Sequence, residues 1–168
     1  MEKFDGTSRF LHWLSALVIL WASFSGLYAA TLDNNSELKH QIGFFNVSIT
    51  TLLIPFFVWR LLNSWLRTTP PEPSELPQWN KPIARMTHHI MYATTAMVLI
   101  SGVLMMTREI CVFYIFTFEN PIKEPFITHL FEVIHSISSK VLAGIIILHI
   151  AAVVKHQISG VPILKRMI

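Results

Sequence analysis

The chain has 168 residues, of which 52% are hydrophobic and only 14% charged. A soluble domain carries about 25% charged residues, so this composition, with a mean hydropathy of +0.51, excludes an ordinary soluble globular protein and points to a membrane. A single cysteine, Cys111, excludes an internal disulfide and thiolate-held iron–sulfur or zinc clusters, which leaves eight histidines as the metal-ligand supply. The isoelectric point near 9.2 does not signal nucleic acid, because the basic residues are dispersed at the ends of apolar runs.

In chain order, four apolar segments are long enough to cross a bilayer, at about 11–30, 42–62, 88–106 and 133–154. The first lacks a short apolar core followed by a small-residue cleavage site, so it reads as a span rather than a cleavable signal. The connection over 31–41 is short and makes the first two helices antiparallel neighbours. The one over 69–82, TPPEPSELPQWNKP, is proline-rich and predicts an extended strap. After Arg108 the run CVFYIFTF is aromatic and β-prone; it predicts an interfacial segment capping the bundle, with a short re-entrant piece as the alternative.

Lys and Arg set the expected topology. Nine of them (Lys3, Arg9, Arg60, Arg67, Lys81, Arg85, Lys155, Lys165, Arg166) fall on one side and three (Lys39, Arg108, Lys123) on the other. The positive-inside rule then places both termini in the cytoplasm. The expected fold is an all-α integral membrane four-helix bundle, a single domain over 1–168. Lys140 is the one formal charge well inside a span, where it snorkels outward or meets an anionic group of a cofactor.

The last span, EVIHSISSKVLAGIIILHIAAVVKH over 132–156, carries His135 and His149 fourteen residues apart. Fourteen helical steps return to within about 40° of the starting direction and advance roughly 21 Å. Two imidazoles on one face, one towards each membrane surface, suit two stacked haems; the plainer reading is that each hydrogen-bonds a neighbouring helix.

RFLHW at 9–13, HSISSKVLAGIIILHIAAVVKH, the C-terminal ILKRM and THHIMY at 87–92 together resemble the bacterial cytochrome b561 family over essentially the whole chain. The resemblance implies a small four-helix membrane protein with two b-type haems that moves electrons between quinones and other redox partners. It implies that His12 and His149 hold the haem nearer the cytoplasm, with Arg9 as a propionate partner or a positive-inside anchor. Trp13 reads as an interfacial anchor. The resemblance also implies that His135 is the fourth-helix ligand of the outer haem. Its partner on the second helix departs from the pattern: counting from Gly43 the position falls on Lys39, next to His40, and counting from Arg60 it falls on Asn46. Three readings stay open: His40 pairs with His135, the outer haem has another ligand or is five-coordinate, or that haem is absent. His88, His89 and His156 fall on the cytoplasmic side, as proton carriers near a quinone or as plain hydrogen-bonding groups.

The resemblance further implies a multi-pass protein of the bacterial inner membrane, in contact with lipid and quinone, with superoxide oxidation coupled to ubiquinone reduction as one specific activity. A periplasmic redox partner and homo-oligomerisation stay open. The competing classes are a cytochrome b subunit anchoring a partner dehydrogenase or hydrogenase, and a non-redox membrane adaptor built on the same scaffold.

Overall fold

The computed structural model describes residues 2–67, 70–71, 80–120 and 122–168. Four helices form in order: α1 (Gly6–Ala30), α2 (Glu37–Leu66), α3 (Asn80–Leu104) and α4 (Pro125–Ile158). A two-stranded hairpin, β1 (Ile110–Val112) and β2 (Phe116–Phe118), lies between α3 and α4, and a 3₁₀ turn, Ile163–Arg166, ends the chain. Each helix starts several residues before the expected apolar core, α2 and α4 also run past its end because polar ends continue the helix into the interface, and α3 stops at Leu104, two residues short. The strap expected over 69–82 falls at 69 and 72–79 outside the described residues, and its last residues already belong to α3.

The helix ends follow local chemistry. Asp5 caps α1: its carboxylate accepts from the Ser8 N–H at 2.8 Å and from the Ser8 hydroxyl at 2.5 Å. Pro125 opens α4, where a missing N–H costs nothing, and Gly160 closes it with φ +82°, a left-handed conformation that suits glycine. α2 continues through Pro55.

Among the described residues, α1, α2 and α4 are each long and apolar enough to cross a membrane. α3 is less apolar, because its first half carries Arg85, Thr87, His88 and His89; its 25 residues still reach about 37 Å. The molecule is apolar on its outside. Phe24 is 72% exposed and Leu148 70%, and Leu17, Ile100 and Ile147 also face outward. Such a surface is stable only against lipid, so the all-α membrane bundle stands.

α1 packs on α2 and α3 on α4, while α1 and α4 barely touch. The pairs join through a small core of Val18, Leu53, Phe57 and Leu99. Buried serines line the packed faces, and Ser15, Ser101 and Ser138 each donate to the carbonyl four residues back, satisfying a hydroxyl without a partner helix.

The segment after Arg108 is a β-hairpin seated on α2, which gives the expected cap a definite form. Ile110 and Val112 are fully buried. The Ser48 hydroxyl donates to the Cys111 carbonyl at 3.3 Å and accepts the Phe113 N–H at 3.1 Å. Phe113 and Tyr114 both have positive φ, 47° and 59°, a conformation costing bulky residues about 1–2 kcal/mol each. Stacking of Tyr114 on Phe44 at 4.6 Å and an edge contact of Phe113 with Phe45 at 5.7 Å offset that cost.

The chain ends are stapled together. Arg166, nearly buried, donates to the carbonyls of Glu2, Pro70 and Pro71, and its guanidinium lies 5.1 Å from the Phe4 ring. Arg67 covers Phe4 as well, at 4.5 Å. Arg9 donates to the Ile168 carbonyl and the Trp13 indole to that of Met167, each at 2.8 Å.

Candidate haem sites

The two ends of the bundle differ. At the end holding the termini, His12 of α1 lies half-buried with its Nδ1 3.0 Å from Nη2 of Arg60 on α2. A guanidinium can only donate, so this imidazole accepts at Nδ1. His149 of α4 meets His88 of α3 edge to face, with ring centroids 5.6 Å apart. Both rings, and Arg60, lie within Coulombic range of His12. Arg60 also sits 5.2 Å over the Tyr92 ring. Three imidazoles from three helices and one fixed cation therefore converge at one depth.

The donor set fits a haem here: two imidazoles on helices that barely touch, with cations beside them for propionates. The Nε atoms of Arg9 and Arg67 are buried without a hydrogen-bond partner among the described residues, which suits an anionic group. The open space beside His12 is small, about 20 Å³, room for a water molecule between His12, Arg60, Asn63 and Tyr92. Arg9 stands at this end as expected, although its guanidinium is held by the C-terminal carbonyl.

Towards the hairpin the helix pairs part around a cavity of about 430 Å³ lined by all four helices and by Ile110. Small residues open it: Ala22, Gly26 and Ala29 on α1, Gly43 on α2, Gly102 on α3 and Ala143 on α4. A Cβ added at Gly26 or Gly43 would meet nothing within 4 Å. Lipid-facing helices usually use such residues to close up; here they leave room.

His135 lines this cavity. Its Nδ1 lies 3.0 Å from the Val98 carbonyl and 3.4 Å from the Ser101 hydroxyl. A carbonyl only accepts, so Nδ1 carries the proton and Nε2 keeps its lone pair, the state of a metal-binding histidine. Asn46 of α2 lines the same cavity, with its Oδ1 3.1 Å from the Trp21 indole nitrogen and 2.9 Å from Ser25 Oγ. His40 is exposed in the first turn of α2 and is not among the lining residues, and Lys39 next to it donates to the Leu32 carbonyl and to Asn34. Lys140 and Glu132 are the charged lining residues.

His12 and His149 thus share one end, as the sequence suggests, and His135 stands in a cavity at the other. Arg60 and Gly102 escaped the sequence reading. Arg60 looked like one more positive-inside residue, and the need for glycine beside His135 exists only once α3 meets α4.

The sequence model of the prokaryotic cytochrome b561 family matches residues 3–168. No curated protein matches the chain. With the match spanning the chain, and with imidazoles at both ends of an apolar four-helix bundle, the protein belongs to the prokaryotic cytochrome b561 family of b-type haem membrane electron-transfer proteins.

Proposed function

We propose that the chain carries electrons across the bacterial inner membrane between a small donor on the hairpin side and membrane quinone. The observation that supports this most is the placement of imidazoles at two levels along α4, His149 beside His12 and Arg60, and His135 in the cavity. Haem supplies the one-electron redox chemistry when bound. His12 and His149 would hold it at the inner end, and His135 at the outer.

The residues around these positions do the rest. Ligation through Nε2 of His12 would make Nδ1 the donor, so Arg60 would leave Nδ1 and its guanidinium would be available to an anionic group of the haem. The Val98 carbonyl already holds His135 in the ligating tautomer. His88 and His89 stand at the inner end of α3, placed to take up or deliver the protons of quinone chemistry.

Superoxide is one specific donor. Two superoxide anions each give up one electron and leave as dioxygen, and one quinone takes both electrons with two protons to become a quinol. Lys140, which lines the cavity, supplies positive charge for the approach of such an anion, while Lys123 is paired with Glu119. The hairpin and short connections on that side offer little docking surface, which favours this reading over an anchor for a large partner subunit.

The test is an absorption spectrum of the purified protein with its haem-to-protein ratio, followed by rapid mixing with a short-chain quinol. Haem reduction by quinol is the expected result. Haem that quinol does not reduce, with a soluble redox subunit co-purifying in mild detergent, would favour the anchor role. A haem-free protein would defeat both.

A further inference from the structure

Asn46 and His135 enter the outer cavity from different helices with different chemical equipment. His135 is prepared as a ligand, its Nδ1–H spent on Val98. Asn46 is prepared as a hydrogen-bond donor. The Trp21 indole N–H has no acceptor capacity, so the Asn46 atom 3.1 Å from it must be the amide oxygen. The Ser25 hydroxyl, 2.9 Å from the same oxygen, already donates to the Trp21 carbonyl at 2.7 Å, so the indole alone sets the orientation. The amide nitrogen, with two hydrogens, then has no hydrogen-bond partner among the described residues, and it is not one of the buried unpartnered atoms sealed from open space.

A neutral amide is a poor ligand for haem iron, whereas a fixed N–H donor on the far side of a haem holds a small bound ligand. His40 does not reach this place. It lies six residues before Asn46, about 9 Å along the axis, in the exposed first turn of α2. Gly26 and Gly43, which line the cavity with Asn46, have nothing within 4 Å of where a Cβ would stand.

We propose that a haem in the outer cavity would have one protein ligand, His135, and that Asn46, which lines the same cavity from α2, would donate a hydrogen bond to a neutral diatomic ligand of the carbon monoxide, nitric oxide or dioxygen class. This rests on the reading that the cavity takes a haem. It adds a gas-binding site to a scaffold that otherwise only passes electrons.

The experiment is a carbon monoxide difference spectrum of the reduced, purified holoprotein, with the haem-to-protein ratio measured on the same sample. The expected result is a response from about half the haem, kept in His12→Ala and lost in His135→Ala. Asn46→His supplies a second imidazole, so it keeps the haem ratio and abolishes the response. Asn46→Leu keeps carbon monoxide binding but moves the C–O stretch to higher frequency, because the N–H donor is gone. Haem that ignores carbon monoxide, or a response that survives His135→Ala, overturns this inference and leaves the electron-carrier reading intact. Absence of haem overturns both, and the wild-type measurement decides even if every variant fails to fold.

Discussion

The His135 ring lies directly against the α-carbon of Gly102: a Cβ built there would stand 3.1 Å from the ring Cε1 and 3.3 Å from Nδ1. Glycine at 102 lets α4 present this imidazole at the depth where Val98 can hold its Nδ1–H. Gly102→Ala pushes the ring outward and strains that hydrogen bond. The expected cost is about 1–3 kcal/mol of stability, with a selective loss of the haem bound by His135. Thermal unfolding in detergent and haem stoichiometry measure the two effects; unchanged values for both would mean the ring moves freely.

The proposed ligand pair, His12 and His149, makes a separate prediction. His12→Ala and His149→Ala should each remove the same half of the haem absorbance, because one site needs both rings. Each should leave the His135 site loaded. His40→Ala should leave the haem ratio unchanged, since His40 is exposed and not among the residues lining the cavity. Pyridine haemochrome assay of each variant reads this directly, and haem loss in His40→Ala would restore it as the outer ligand.

Arg166 is expected to control order at the inner end. Its guanidinium serves the carbonyls of Glu2, Pro70 and Pro71 and covers Phe4, so no shorter side chain replaces it. Arg166→Ala should cost on the order of 3 kcal/mol, since several charge-assisted hydrogen bonds go together. Arg166→Lys should recover only part, because an ammonium lacks the planar fork. Hydrogen exchange should localise the loosening to the residues on either side of Phe4 and to 163–168; loosening spread evenly over all four helices would contradict the staple.

Asp5 gives a pH prediction outside the membrane-spanning part. The Ser8 hydroxyl holds its carboxyl below the ordinary carboxylate range, with the Ser8 N–H second and Arg67 contributing less. A depressed folded pKa stabilises the fold fully above the unfolded value and loses that contribution as pH falls through the folded value. Asp5→Ala should therefore cost about 1 kcal/mol at neutral pH, and the gap from wild type should close below about pH 4. A gap independent of pH would show that the cap acts through something other than its charge.

The sequence by itself determined the four helices and their location in a membrane, and it singled out His12, His135 and His149 as candidates. Apolar runs of spanning length have no other stable home, and RFLHW with two imidazoles fourteen residues apart is a local pattern along single helices. It also marked the β-prone run after Arg108, though not the seat of the hairpin on Ser48 and Phe44, which requires α2 alongside. Only the tertiary structure decided which α2 residue lines the cavity with His135. Counting along α2 gave two candidates, and their difference is a rotation and an axial shift that depend on how α2 packs against α1. Trp21, twenty-five residues from Asn46, fixes its amide oxygen while Lys39 is held by the α1–α2 connection. Hydrogen bonds between helices carry no signature in the spacing of either one, so the chemistry of the outer site became readable only when the helices were in place.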